Sequence, residues 1–241
     1  MIFERAEALR GERMATRIYS PFAYPLPRRT RSVPIVVAEA ERLAPTFPLV
    51  WQRGADGPQL CVLRSLMEDG TGFPPGAERS LALLPLVFQA YPFVFPAGAL
   101  AAEGNPRLID VAGADLPTDA GAPVTTADGR LSHAAELRLR ALDLFERDHA
   151  RTAAIGRLLG ELGLLEPWPL RFDLGAGRSC DIPGFAVVAA AAFDTPRLQP
   201  VLARFGIAAA RLLSHHRLSL FRAAALLAAA RAAVAGGAVP S

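Results

Sequence analysis

The sequence predicts an α+β fold: a strand-rich N-terminal half with an antiparallel or mixed sheet, a long central helix, a β-hairpin and a helical C-terminus. Three observations support this prediction. Short apolar runs separated by Pro and Gly extend from Val33 to about Leu116, as is typical of strands joined by tight turns. A long amphipathic pattern with helical spacing begins near Ser132. The end of the chain is rich in Ala and Leu, which favour helix.

The N-terminal half divides into an arm and a sheet. Residues 1–32 form a Pro- and Arg-rich arm, in which Pro21, Pro25 and Pro27 disfavour helix and favour an extended path. Strands are expected in the segments IVVAEA, FPLVW, QLCVLRSL, LLPLVFQAYPFVF and RLIDVAG. Most connections between them are too short for parallel crossovers, so we expect antiparallel or mixed pairing.

The central helix is predicted from near Ser132 to about Leu162, where apolar residues recur at helical spacing. Gly163 suits the left-handed position after the last helical residue, and Leu164 can then fold back onto Leu159. Pro167 prevents any continuation of the helix.

A hairpin follows, because LRFDL and RSCDI flank the turn sequence Gly175-Ala176-Gly177. Thr195 and Pro196 predict the start of another helix, with the threonine hydroxyl as its cap. A break is expected near Gly206.

The last helix, predicted over residues 207–235, is not amphipathic, because its leucines and arginines spread around the whole cylinder. Two explanations stay open. Either the chain bends near Ser214-His215-His216 and leaves the imidazoles exposed, or the Ala-rich end over residues 223–235 packs on another subunit.

Composition excludes several classes of protein. The 241 residues are 51% hydrophobic and carry 26 basic residues, all Arg, against 23 acidic ones. A net charge of +3 argues against a protein that coats nucleic acid. Cys61 and Cys180 are far apart and belong to no C-x-x-C pair, so neither a disulfide framework nor a cysteine zinc site is expected.

The N-terminal sequence and the lengths of the apolar stretches predict a cellular location. Glu4, Arg5 and Glu7 interrupt the N-terminal sequence, so a secretory leader is not expected. The longest apolar stretches, residues 184–193 and 223–230, are shorter than the roughly 20 residues that cross a bilayer. We therefore expect a cytoplasmic protein without a transmembrane segment, and peripheral membrane contact is the second possibility.

Five sequence blocks give a resemblance to a known family. They are IVVAEAERLAPTFPLVW (35–51), LLPLVFQAYPFVF (83–95), LGELGLLEPW (159–168), LRFDLGAGRSCDIPGF (170–185) and RLLSHHRLSLFRA (211–223). Their order over residues 33–222 resembles the SapC family of bacterial proteins, named after a component associated with a surface-layer gene cluster. The resemblance implies a single α+β domain over residues 33–235 and a tail over 236–241. It also implies a non-catalytic accessory protein, linked to surface-layer export or to a neighbouring metabolic pathway.

Two sets of residues are candidates for a site. Tyr91, Pro92 and Phe93, together with the turn at Glu166 and Trp168, can line a groove for a peptide or small ligand. The same aromatic residues also suit a packed core.

The second set consists of candidate metal ligands. His133 and Glu136 are spaced to face one metal ion, and His149 lies further along the same helix. An exposed helix start, where Glu136 complements the positive end of the helix, is the better explanation of the first two.

We therefore predict a cofactor-free protein that binds a protein or peptide partner. The partner can also be a second copy of the chain, bound through the Ala-rich C-terminal helix. The alternative is a metal-dependent enzyme using His133, Glu136 and His149.

Overall fold

The computed structural model describes residues 3–54, 57–77, 79–95, 107–112 and 120–237. It confirms the predicted α+β class, with sheets in the N-terminal half, a long central helix and a helical C-terminus. The last residues of the predicted tail, 238–241, lie outside the described part of the chain.

Short strands and helices alternate along the chain. The strands are β1 (Ala6–Ala8), β2 (Arg17–Ile18), β3 (Ser32–Pro34), β4 (Leu49–Gly54), β5 (Gly57–Leu63), β6 (Phe93–Val94), β7 (Leu108–Asp110), β8 (Ala122–Pro123), β9 (Leu165–Pro167), β10 (Leu170–Gly175), β11 (Arg178–Ile182) and β12 (Phe185–Val188). The α-helices are α1 (Pro25–Arg29), α2 (Ala40–Leu43), α3 (Leu86–Ala90), α4 (His133–Glu161), α5 (Ala190–Phe193), α6 (Gln199–Ser219) and α7 (Ala223–Gly237). Short 3₁₀ turns include Gly11–Ala15, Pro21–Ala23, Val37–Glu39, Leu81–Leu83, Pro196–Leu198 and Leu220–Arg222.

The chain divides into two compact units. Unit 1 comprises Met1–Arg28 and Leu84–Arg147, and unit 2 comprises Arg29–Leu83 and Asp148–Ser241. The helix α4 contributes its N-terminal half to unit 1 and its C-terminal half to unit 2. The predicted single domain over residues 33–235 stays a prediction.

Unit 1 contains two small antiparallel sheets, ordered β1-β7-β6 and β2-β8. Strands β1 and β2 therefore place N-terminal residues against later parts of the chain. The apolar core of the unit includes Phe93, Ile109, Val124 and Leu142, each at most 1% exposed.

Unit 2 is built around a five-stranded sheet in the order β3-β5-β4-β12-β9. Its strand pairs are all antiparallel within the described residues, as the short connections predict. A separate two-stranded sheet holds the hairpin β10-β11, and this confirms the predicted hairpin. Its turn places Ala176 at φ 51° and Gly177 at φ 71°, the left-handed pair that a two-residue hairpin loop requires.

The end of α4 confirms the predicted glycine cap. Gly163 has φ 59°. Its N–H donates to Gly160 O at 3.0 Å, and the N–H of Leu164 donates to Leu159 O at 3.0 Å. This pair of bonds is the Schellman arrangement, with both leucines completely buried.

Two apolar segments that predict strands contain helical turns instead. Within residues 35–40, a 3₁₀ turn covers Val37–Glu39 and α2 begins at Ala40; within residues 83–95, α3 covers Leu86–Ala90 and only β6 is a strand. The first turn forms because side chains accept its backbone N–H groups: Glu39 binds Val36 N, and Thr152 binds Val37 N. Thr152 is 115 positions from Val37 in the sequence, so a local pattern cannot indicate this partner.

The predicted extended path of the Pro-rich run is also wrong, since a 3₁₀ turn and α1 occupy residues 21–29. Pro25 stands at the start of α1, where a helix tolerates proline because the missing N–H has no partner there.

The C-terminal region follows the prediction in part. Gly206 interrupts α6 with φ 58°, as expected. The predicted bend at residues 214–216 is displaced to the 3₁₀ turn Leu220–Arg222. Thr195 donates its hydroxyl to Ala191 O at 3.1 Å and makes no cap bond to the following helix.

The C-terminal region is also relevant to the expectation that no segment of the chain spans a membrane. By length and composition, Pro196–Gly236 is apolar enough to cross a membrane, with a mean hydropathy of 1.6 in its most apolar window. The expectation that no segment spans a membrane stays a prediction.

Candidate functional site

A groove in unit 2 lies between the turn that leads into α2, the C-terminal half of α4, and α6. Its volume is about 220 Å³. We call it the α2–α6 groove. Its apolar lining comprises Val37, Ala38, Ala40, Ile207, Ala208 and Leu212. Its charged and titratable lining comprises Glu41, Arg151, Arg211 and His215.

Side chains of α4 fix the wall of this groove. Asp148 is 8% exposed and accepts the Ala38 N–H at 2.8 Å, and Thr152 accepts the Val37 N–H at 3.0 Å. Arg151 forms an ion pair with Asp148 on the same helix. The 3₁₀ turn that begins α2 is therefore attached to α4 by backbone groups that would otherwise need water.

The groove carries both charge signs at its rim. Arg211 Nη2 lies 3.9 Å from Glu41 Oε2, and their side chains are 67% and 69% exposed. An ion pair this exposed contributes little to stability, so both groups are available to a ligand. Apolar walls with a few charged groups are the usual composition of a binding site.

His216 is a buried side chain of α6 that does not line the groove, and it corrects the expectation of exposed imidazoles. Its side chain is completely buried, and its Nε2 accepts the Val188 N–H at 3.0 Å. The proton is therefore on Nδ1, which donates to Leu49 O at 2.8 Å. Burial lowers the pKa of His216 to about 4, so the ring is neutral at pH 7.

This imidazole joins two neighbouring strands of the sheet. The pairing of β12 with β4 includes Ala186 with Trp51 and, if continued, would bring Val188 opposite Leu49. At that point the ring of His216 makes the two bonds that a further ladder pair would make. One sequence signal could have indicated burial: His216 shares a helical face with Leu212 and Leu213.

The first part of the predicted aromatic groove is core structure in unit 1. Tyr91, Pro92 and Phe93 are all buried, and the Tyr91–Pro92 peptide bond is cis. Tyr91 donates its hydroxyl to Asp110 Oδ2 at 3.0 Å and packs edge-on against Tyr24 at 4.8 Å. Burial and then the neighbouring Asp110 raise the pKa of Tyr91, which keeps its proton for this bond.

The second part lies in unit 2. Glu166 is exposed in β9, and the half-buried Trp168 donates its backbone N–H to Phe185 O at 2.8 Å. The two parts belong to different units, and the groove that would combine them stays a prediction.

The candidate metal ligands lie on α4. His133 Nδ1 is 4.0 Å from Glu136 Oε2, and the two side chains are 85% and 62% exposed. His149 is half-buried in the half of the helix that belongs to unit 2. Within the described residues, no group of three or more His, Cys, Asp or Glu side chains is placed to hold a metal ion.

The thiol of Cys61 is buried and is not reactive at neutral pH. Cys61 is 1% exposed in β5, and burial raises its pKa to about 12. A thiol with this pKa is not a nucleophile at neutral pH. Cys180 is half-buried in β11, and both cysteines are free.

Comparison with models of protein families gives a match. The family model described as SapC matches residues 14–204, which is more than three quarters of the chain. No curated protein and no solved structure matches it. The match begins earlier than the predicted resemblance and ends before its last block, residues 211–223. By this match, which confirms the resemblance inferred from the sequence, the chain belongs to the SapC family.

Proposed function

We propose that this SapC-family protein is a non-catalytic accessory protein of the bacterial cytoplasm that binds a protein or peptide partner in the α2–α6 groove. The observation that carries the proposal is the combination of apolar walls with exposed, weakly paired charges in one recess. A link to surface-layer export or to a neighbouring metabolic pathway belongs to the same proposal, on the strength of the family alone.

The size of the groove favours a peptide over a free small molecule. Pockets that hold drug-sized ligands usually measure about 300–1,000 Å³. At about 220 Å³, this groove accommodates one or two side chains of a longer partner. The rest of such a partner would lie over the adjacent surface of α6.

The charges favour a partner with a carboxylate next to its apolar anchor. Opening the exposed pair of Arg211 with Glu41 costs about 1 kcal/mol or less. A partner carboxylate can then bind the guanidinium of Arg211 with two hydrogen bonds. Ile207, at the rim, is 77% exposed and offers apolar contact beside this arginine.

Self-association through the Ala-rich α7 is a second form of binding within this proposal. Ala224, Ala225 and Ala228 are exposed on that helix, and the first and the last of them are separated by about one helical turn. Small side chains allow close approach of two helices. Size-exclusion chromatography with light scattering tests this form, and a monomer at all concentrations would contradict it.

A matched pair of variants tests the groove. Ala208→Trp fills it, whereas Ala203→Trp places the same side chain on an exposed part of α6 that does not line it. A photo-crosslinking residue at position 207 should form an adduct with one defined protein in cells, and Ala208→Trp but not Ala203→Trp should abolish that adduct.

Two results would contradict the proposal. One is an adduct at position 207 that both tryptophan variants leave unchanged. The other is equal labelling from a crosslinker at Leu81, which is 54% exposed and does not line the groove.

A further inference from the structure

We propose that the outward face of α6 and the turn that follows it bind the surface of a lipid bilayer with anionic headgroups. This face, the arginine face, comprises Arg217, Leu218, Phe221 and Arg222. The proposal goes beyond the peptide partner of the α2–α6 groove and rests on different residues.

The first supporting observation is an asymmetry of charge along the chain. After Asp194 the sequence contains six arginines and no Asp or Glu. All 23 acidic residues, of which Asp194 is the last, and the other 20 arginines lie in residues 1–194. The C-terminal helices are thus strongly cationic, whereas the rest of the chain is slightly anionic. An anionic surface attracts the cationic part at a distance and repels the remainder, which orients the protein.

The second observation is apolar exposure in the same region. Among the described large hydrophobic residues, the three highest exposures are 77% for Ile207, 67% for Leu218 and 77% for Phe221. The last two belong to the arginine face. Water contact with these side chains is unfavourable, at about 25 cal/mol per Å² of apolar surface. Some apolar surface is therefore expected to cover them.

The arginines flank these apolar residues and are not engaged by acids. Arg217 and Arg222 are exposed, and neither forms an ion pair within the described part of the chain. The guanidinium of Arg217 lies 5.9 Å from the ring of Phe193, a contact that leaves its charge uncompensated. Helices that lie in a membrane interface typically carry arginines beside Leu and Phe. The long arginine side chains of such helices reach the lipid headgroups.

The opposite side of α6 explains why the helix lies on a bilayer and does not enter it. His216 and Ser219 are buried on that side, and both bind the backbone of Leu49 in β4. The helix is also interrupted at Gly206 and at the turn Leu220–Arg222. Inserting it across a membrane would require breaking these bonds, whereas contact at the arginine face leaves them intact.

The alternative occupant is an acidic protein surface, and the shape of the region favours lipid. The α2–α6 groove is recessed and includes Glu41, as suits a polypeptide side chain. Leu218 and Phe221 are instead highly exposed and line no part of that groove, and only 22% of the most apolar window of Pro196–Gly236 is buried. Insertion by about 5–10 Å into the headgroup region would cover both side chains without a matching recess.

Flotation of the full chain with vesicles tests the proposal. Vesicles of phosphatidylcholine that contain phosphatidylglycerol should carry the protein with them, and vesicles of phosphatidylcholine alone should carry much less. Each arginine near an anionic surface contributes slightly more than about fivefold, so the double variant Arg217→Ala with Arg222→Ala should lower the partition coefficient about 30-fold at low salt. Added salt should reduce the binding of the unaltered chain.

Matched variants distinguish the contribution of the arginine face to vesicle binding from the effects of overall charge and hydrophobicity. Arg53→Ala with Arg157→Ala removes the same charge from exposed positions elsewhere in unit 2 and should cost much less binding. Leu218→Ser should weaken binding, and Leu81→Ser, another exposed leucine of unit 2, should not. Ala208→Trp should leave vesicle binding unchanged while it blocks the groove, so the two proposals fail independently.

A spectroscopic variant gives a direct readout of contact. Phe221→Trp retains an aromatic residue at a 77% exposed position, so it should fold normally, and its emission should shift to the blue with anionic vesicles. Equal flotation with both vesicle types, equal loss in the Arg53 and Arg157 control, or an unshifted emission would overturn the proposal. Capture of an acidic protein instead of lipid by a crosslinker at position 221 would also overturn it.

Discussion

Asp110 in unit 1 and His216 in unit 2 are both completely buried and both bind backbone groups, but their hydrogen bonds are of different kinds. In unit 1 the completely buried Asp110 accepts four hydrogen bonds, from the N–H groups of Glu4, Arg5 and Ala112 and from the Tyr91 hydroxyl. In unit 2 His216 donates one bond and accepts one. A carboxylate surrounded by donors only accepts, whereas the imidazole must stay neutral to fill both roles. Unit 2 therefore depends on the protonation state of its buried group in a way that can be measured.

The largest effect is expected from Asp110→Ala. The change leaves three backbone N–H groups and one hydroxyl without an acceptor, and each unsatisfied buried group costs about 1–3 kcal/mol. We expect a loss of about 4 kcal/mol or more in the free energy of unfolding. Hydrogen exchange measured peptide by peptide should show the loss in β1 and β7 of unit 1. Asp110→Asn, which keeps an acceptor, should lose less; equal losses would contradict this account of the site.

His216→Ala should destabilise unit 2 by about 3 kcal/mol. It removes the partners of Leu49 O and Val188 N and leaves a cavity between α6 and the sheet. Urea unfolding measures the loss, and hydrogen exchange should locate it at β4 and β12. His215→Ala, at the neighbouring half-buried position, serves as the control and should cost much less. A control effect as large as that of His216→Ala would contradict the role of the buried imidazole.

Acid should weaken unit 2 in a specific window of pH. The pKa of His216 is about 4 in the folded protein and about 6.5 in the unfolded chain, so the unfolded state binds the proton more tightly. Stability is then fully present above pH 6.5 and falls as the pH decreases towards 4. The expected loss at pH 5 is about 2 kcal/mol.

Unfolding at a series of pH values measures this slope. His216→Gln cannot titrate, and the part of the slope between pH 6.5 and 4 that belongs to unit 2 should disappear in that variant. An unchanged slope would show that other groups are responsible.

A smaller effect is expected where the helix α4 meets β5 in unit 2. A Cβ at Gly156 would lie 2.9 Å from Trp51 Cζ3 and closer still to the carbonyl oxygen of Pro58. Gly156→Ala should therefore cost about 1 to 2 kcal/mol, although alanine favours helix. Gly160→Ala, whose Cβ would meet only the Pro58 ring, is the control for thermal unfolding. Similar midpoint temperatures of thermal unfolding for the two variants would contradict the close approach at Gly156.

Features that depend on a few neighbouring residues were predictable from the sequence. The glycine cap at Gly163, the hairpin turn at Ala176-Gly177 and the break at Gly206 each require a left-handed backbone, and each is present. The overall fold class follows from the same local patterns, together with the segment order of the SapC family.

Features that depend on distant partners were not predictable. The bend expected at His215-His216 is absent there because His216 is held by backbone groups about 28 and 167 positions away in the sequence. The 3₁₀ turn at Val37–Glu39 similarly depends on Asp148 and Thr152 of α4. The α2–α6 groove combines three distant segments, so no single segment of the sequence indicates it.

The order of strands in the sheet of unit 2 has a consequence for biosynthesis. Strands β4 and β5 are adjacent in sequence, but β12 and β9, which complete the other side of β4, emerge from the ribosome much later. Until residue 188 has been synthesised, one edge of β4 has no partner strand. An unpaired edge is prone to aggregate with other nascent chains. We therefore expect truncated chains that end before β12 to require chaperones, whereas chains that extend through α6 should not.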